Sequence, residues 1–98
     1  MENKIIVFSR LGCKYCDNAK KFLKNLQLPF HEIKINHDDK NYEYKRDHLF
    51  HYYQHHSYPV IVINNELLGG YSDLVNAYDT LKLHDMCSKI GLELPFDL

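Results

Sequence analysis

The 98-residue chain has no tryptophan, only three cysteines, three prolines and four glycines. Three cysteines are an odd count, and too few to staple a small secreted protein with disulfides. No repeat, linker or low-complexity tract divides the sequence. Charge of one sign is not in excess. Twelve Lys and Arg against thirteen Asp and Glu leave a formal net charge of −1, whereas a nucleic-acid binder usually carries a clear basic surplus. Long apolar runs are absent too. Ile5-Ile6-Val7-Phe8 is shorter than the roughly 7–15 apolar residues of a signal peptide core. No window approaches the roughly 18–20 of a membrane span, and the C-terminal residues carry no lipidation box. These absences lead to the expectation of a cytoplasmic, reducing compartment, with no membrane or nucleic-acid partner. There, closely spaced cysteines are catalytic or metal-binding more often than structural.

A composition of 45% apolar and 26% charged residues suits a globular protein. The length predicts one domain, residues 1–98, burying about 60–65% of its unfolded surface. Residues 5–8 read as a buried strand. Ala19, Phe22, Leu23 and Leu26 mark an amphipathic helix, with Lys20, Lys21 and Lys24 on its wet face and Pro29 as its expected end. Phe30 to Ile35 reads as a second strand. Tyr42, Leu49, Phe50 and Tyr53 can form a helical stripe within 40–54, although aromatic crowding lowers helix propensity. Val60 to Ile63 is a β-branched run. Asn64-Asn65 predicts a two-residue turn returning through Glu66-Leu67-Leu68. Ser72 is the expected cap of a helix with the stripe Leu74, Ala77, Tyr78 and Leu81. A last helix is expected over 84–90, with Gly91 as its stop. This order predicts an α/β protein with a four-stranded sheet, helices on both faces, and the first two strands parallel.

Cys13-Lys14-Tyr15-Cys16 falls where the first strand gives way to the first helix. In such a context the spacing reads as a thioredoxin-like redox motif. Free N–H groups and the macrodipole place partial positive charge beside Cys13, and thiols so placed have pKa values of roughly 3.5–7.5 rather than about 8.5. Arg10 and Lys14 add cationic character. Cys13 is therefore the expected nucleophile and Cys16, one turn on, the resolving thiol. Half of a zinc site has the same spacing.

Three segments, in order, resemble the glutaredoxins over nearly the whole chain. Phe8-Ser9-Arg10-Leu11-Gly12-Cys13-Lys14-Tyr15-Cys16 is similar to that family's strand, loop and active site. Ser57-Tyr58-Pro59-Val60-Ile61 is similar to its Thr-Val-Pro segment, and Gly69-Gly70-Tyr71-Ser72-Asp73-Leu74 to its Gly-Gly-x-Ser/Thr-Asp-Leu motif. Cys16-Asp17-Asn18-Ala19-Lys20 also resembles phage glutaredoxin-like proteins. The resemblance implies a thioredoxin-like fold with a mixed sheet, and a monomeric glutathione-dependent oxidoreductase of the dithiol type. It also implies a cis bond before Pro59, leaving the backbone of Tyr58 to pair with glutathione as an added strand would. The γ-glutamyl carboxylate would go to Gly70 and Ser72 at a helix start, the ammonium to Asp73 and the glycyl carboxylate to Arg10. Tyr15 would contact the ligand from within the motif, and Lys45 or Arg46 would add a second cation. Expected partners are disulfide-bonded or glutathionylated proteins, with ribonucleotide reductase a substrate on family habit.

Lys14 departs from the family's commonest Cys-Pro-Tyr-Cys form. Some glutaredoxins without that proline hold a [2Fe–2S] cluster between two subunits with two glutathiones as ligands, which makes a cluster-binding protein the alternative expectation. Tyr58 is bulkier than the usual Val and is expected to narrow the groove or cover the disulfide. Cys87 reads as a buried, inert thiol. His51 and His55 have a spacing that permits metal ligation on a helix, but no carboxylate or cysteine completes a site. His48, His51, His55 and His56 are therefore read as surface or partly buried polar residues, and a zinc-binding module is the alternative from another class.

Overall fold

The computed structural model describes residues 4–94. The sequence expectations for Met1 to Asn3 and for the C-terminal tail beyond Leu94 lie outside the described residues. Four strands and four helices follow in the order β1 (Ile5–Ser9), α1 (Lys14–Asn25), β2 (His31–Lys34), α2 (Tyr42–Tyr53), β3 (Val60–Ile63), β4 (Glu66–Gly69), α3 (Tyr71–Asp79) and α4 (Lys82–Ser88). The sheet order is β2-β1-β3-β4. β1 runs parallel to β2 and antiparallel to β3, and β3 is antiparallel to β4. This is the mixed sheet of the thioredoxin-like fold.

β3 lies inside the sheet and all four of its residues are buried, as expected for a strand covered on both faces. Its side chains alternate between two cores. Ile61 and Ile63 join Ile5 and Val7 of β1, Ala19 and Leu23 of α1, and Leu74 and Ala77 of α3 in the larger one. Val60 and Val62 turn the other way, toward Leu49 of α2 and Ile35. The hairpin forms as its residues predict: Asn64 and Asn65 both take positive φ, 52° and 67°, which a tight two-residue turn requires. Leu68 is then an extra residue in β4, because Ile61 pairs with Gly69 and Val62 with Leu67. The bulge sets the angle at which the chain leaves the sheet for α3.

Helix limits differ from expectation at α1, α3 and α4, the last running Lys82–Ser88 rather than over 84–90. α1 closes at a Leu26 cap, and Gln27 turns left-handed at φ 58°. Its end thus precedes Pro29, because Leu28 must drop back into the core. α3 ends at Asp79, with Thr80 bonding back to Asn76. Leu81 is therefore not part of its stripe. It sits at φ 66°, 48% exposed, in the sharp corner that starts α4. Ser72 does not cap α3; Gly70 does, and Ser72 is an exposed residue of the first turn.

Candidate active site

β1 delivers the chain to the loop Arg10-Leu11-Gly12, in which Gly12 has φ 75°. Cys13 follows as the N-cap of α1, with extended φ and ψ of −96° and 107°. Its sulfur is bonded to that of Cys16, with the two Cα atoms 5.2 Å apart. The backbone N–H of Cys16 also donates to Cys13 Sγ at 3.1 Å. The sulfur thus stands where Ser or Asp normally caps a helix, and a thiolate there would be stabilised by the same donor and by the helix dipole. Both cysteines are buried, and Cys13 is slightly the more exposed residue, at 6% against 1% for Cys16.

A cavity of about 260 Å³ brings together Tyr15, Tyr58, Pro59, Gly70, Ser72 and Asp73, all named from the sequence. The Tyr58–Pro59 bond is cis. Tyr15 links the cavity to the cysteine pair; it is 60% exposed and stacks on Tyr71, with ring centroids 6.3 Å apart. The far wall is the start of α3. Asp73 reaches back from the third helical position, and its Oδ2 accepts the Gly70 N–H at 2.8 Å. That fold-back explains Gly69. At φ 126°, a Cβ on residue 69 would lie 2.2 Å from Asp73 Oδ2, so no side chain fits there. Gly70 is under no such pressure, since a Cβ would meet nothing nearer than His55 Nε2 at 3.5 Å. A larger, mostly apolar cavity of about 530 Å³ lies beside α2, lined by Phe8, Ile33, Leu49 and Tyr52 among others. Of the residues assigned to the ligand from the sequence only Lys45 lines it, and neither cysteine does, so volume alone would mislead.

The cations sort themselves. Arg10 does not line the cavity; its guanidinium donates to the Leu11 carbonyl at 3.3 Å and lies 5.9 Å from the centre of the Tyr58 ring. Lys45 is held by Asp39, whose carboxyl is kept below its ordinary value by that hydrogen bond. Arg46 pairs with Asp47 at 3.0 Å and lies over Tyr42 at 5.5 Å. Of the two candidates for a second cation, Arg46 is therefore the one beside the tyrosines that flank the site. Tyr58 lines the groove, and its ring also packs on Phe50 at 5.2 Å. Burial pushes its phenol up to about 12.

The histidines disperse. α2 ends at Tyr53 and Gln54 is left-handed, so His51 and His55 are not one turn apart on a helix. His51 and His56 are exposed, and His48 stacks on Tyr44. His55 alone turns inward, its Nε2 buried without a hydrogen-bond partner beside the groove. Among the described residues, no three His, Cys, Asp or Glu are grouped to hold a metal ion. A zinc module therefore finds no completed ligand set among the described residues.

The glutaredoxin family model matches residues 5–68. The chain belongs to the glutaredoxin family. It is 27% identical over 89 residues to Glutaredoxin-C4 of Arabidopsis thaliana, spanning 91% of this chain and 65% of that protein, less than two-thirds of its length. The solution structure of the dithiolic glutaredoxin 2-C-Grx1 of Trypanosoma brucei brucei is 31% identical, with a TM-score of 0.74 and 86% of each chain covered. A buckwheat glutaredoxin in complex with glutathione shares the fold at a TM-score of 0.82 and 22% identity, over 93% of this chain and 82% of that one.

Two glutaredoxin site features escaped the sequence. His55 reaches the groove only because the chain turns at Gln54, and the signal would have been its place four residues before Pro59. Tyr71, quoted in a motif but given no role, forms an aromatic pair with Tyr15 that no spacing rule announces.

Proposed function

We propose that this glutaredoxin is a glutathione-dependent thiol–disulfide oxidoreductase acting on protein disulfides and glutathione mixed disulfides. One observation carries the reading: the sulfur of Cys13, the more exposed residue of a cysteine pair, caps a helix and accepts a backbone N–H, beside a peptide-sized groove. In the first step the Cys13 thiolate attacks the glutathionyl sulfur of a protein mixed disulfide. The Cys13–glutathione bond forms, the protein–glutathione bond breaks, and the protein thiolate takes up a proton. A second glutathione, as thiolate, attacks the bound glutathionyl sulfur, which releases glutathione disulfide and restores Cys13. With a protein disulfide, Cys13 first forms a protein mixed disulfide. Cys16 then loses its proton and attacks the Cys13 sulfur, which closes the Cys13–Cys16 bond and frees the substrate as dithiol. Two glutathiones reduce that bond. Stabilising the Cys13 thiolate at the helix cap raises the fraction ready to attack and makes it a better leaving group.

In this reading glutathione lies along the groove, its cysteinyl backbone pairing with Tyr58 as an added strand. Its γ-glutamyl end meets Gly70, Ser72 and Asp73, its glycyl carboxylate meets Arg10, and Tyr15 and Pro59 form the walls. Asp73 already holds the Gly70 N–H through one oxygen, so the ligand's ammonium takes the other side of the carboxylate. The test is glutathione-coupled reduction of a glutathionylated peptide by the wild type and by Cys13→Ser and Cys16→Ser. Loss in the first variant with retention in the second supports the mechanism. Full activity of Cys13→Ser contradicts it.

A further inference from the structure

Tyr58 stands where a small aliphatic residue would serve to carry a backbone, so its ring needs a separate explanation. The ring is gripped from below: it packs on Phe50, and its hydroxyl is buried beside Tyr42. The Arg10 guanidinium lies 5.9 Å from the centre of the same ring. Arg10 has little else to hold it. Among the described residues its one side-chain hydrogen bond is a long, exposed one to the neighbouring Leu11 carbonyl, and Leu11 itself is 73% exposed. An arginine on a loop loses much of its rotamer freedom when it binds an anion, and a fixed aromatic face removes part of that cost in advance. Guanidinium is suited to this because it is flat, weakly hydrated and able to stack while its N–H edge still faces a carboxylate.

We propose that Tyr58 is a positioning residue: its ring holds the Arg10 guanidinium in place for the glycyl carboxylate of glutathione and so sets selectivity for that end of the ligand. The inference rests on the glutathione reading above and adds the device that makes Arg10 effective. Tyr58 acts through Arg10, not on the reacting sulfur. The effect should therefore appear as discrimination between ligands with and without a glycine.

The experiment compares two mixed-disulfide peptides, one carrying glutathione and the other γ-glutamylcysteine, with glutathione as the reductant throughout. The readout is the ratio of their kcat/KM values, in which any general loss of fold or of thiol reactivity cancels. Tyr58→Leu is expected to lower the ratio about two- to fivefold, the range of an exposed cation–π contact. Tyr58→Phe, which keeps the ring face, restores it. Arg10→Ala lowers the ratio at least as far, and adding Tyr58→Leu to it lowers the ratio no further. Should Tyr58→Leu not fold, Arg10→Lys serves instead, because it keeps the charge, loses the flat face and is expected to lower the ratio as well. The role of Tyr58 is overturned if Tyr58→Phe loses as much as Tyr58→Leu, or if the ratio falls further on the Arg10→Ala background. An unchanged ratio in Tyr58→Leu alongside a fall in Arg10→Ala also overturns it, while leaving the glutathione reading intact. A ratio near one in the wild type, unmoved by Arg10→Ala, removes the carboxylate assignment itself and the positioning role with it.

Discussion

Cys13 at the start of α1 and Cys87 near the end of α4 are both buried, at 6% and 0% exposure, but their surroundings differ in kind. The Cys13 sulfur faces a backbone donor, the positive end of a helix and a loop with Arg10. Cys87 faces the large apolar core of Leu23, Leu74 and Leu83, where burial pushes its thiol up to about 11. Burial alone therefore does not make a thiol inert. What decides is whether the surroundings can stabilise a negative charge.

The largest effect should come from exchanging oxygen for sulfur on each side. Cys13→Ser is expected to abolish glutathione-coupled reduction, and Cys87→Ser to leave it intact. Comparable losses in the two variants would erase the distinction. Next comes the groove's second helix start. Gly69→Ala drives a methyl group into the Asp73 carboxylate at a left-handed position, and a cost of about 1–3 kcal/mol in unfolding free energy is expected. Removing the carboxylate in an Asp73→Ala background should recover part of that loss, as read in urea melts.

A buried hydroxyl in place of the Cys87 thiol should cost about 1–3 kcal/mol. The same thiol also has a pH signature. Its pKa is raised in the folded state, so above the ordinary value near 9.0 only the unfolded chain ionises. In oxidised protein, stability should then fall between about pH 9 and about 11, and Cys87→Ala should remove the part that begins near pH 9, leaving the part above about pH 10 that the raised Tyr58 phenol adds. The smallest effect belongs to a pair outside both regions. Burial pushes Glu32 up, but hydrogen bonds from Lys20 and Ser9 outweigh it and hold the carboxyl below its ordinary 4.5. The Glu32 hydrogen bond raises Lys20. The Glu32 contribution is present above about pH 4.5 and disappears as pH falls through its lower folded value. The Lys20 contribution is present below about pH 10.5 and disappears as pH rises through its raised one. Glu32→Gln should flatten the acid limb of a plot of Tm against pH by under about 1 kcal/mol.

Much of this was legible in the residues. β1, the Asn64-Asn65 hairpin and the cysteine pair at a helix start follow from local rules: strand periodicity, a turn requiring positive φ, and the physics of helix ends. The groove residues Tyr58, Pro59, Gly70 and Asp73 were found through resemblance, and the fold does bring them together. Tertiary choices escaped. The Asp73 carboxylate took the Gly70 N–H and left Ser72 without the capping role its type suggests. Leu81 looked like the end of a helical stripe because spacing does not show a corner. Lys45 and Arg46 were equivalent candidates until the fold set Arg46 over Tyr42, beside the groove tyrosine, and turned Lys45 to Asp39. Gln54 ended α2 and swung His55 away from His51, which dissolved the apparent metal pair.

The most direct test is to locate the sulfur that takes up glutathione. The reduced Cys16→Ser variant is mixed with a glutathionylated peptide, quenched in acid, digested and mapped by mass spectrometry. The account predicts glutathione on Cys13 and none on Cys87 while the protein stays folded. Glutathione on Cys87, or none on Cys13, would contradict it.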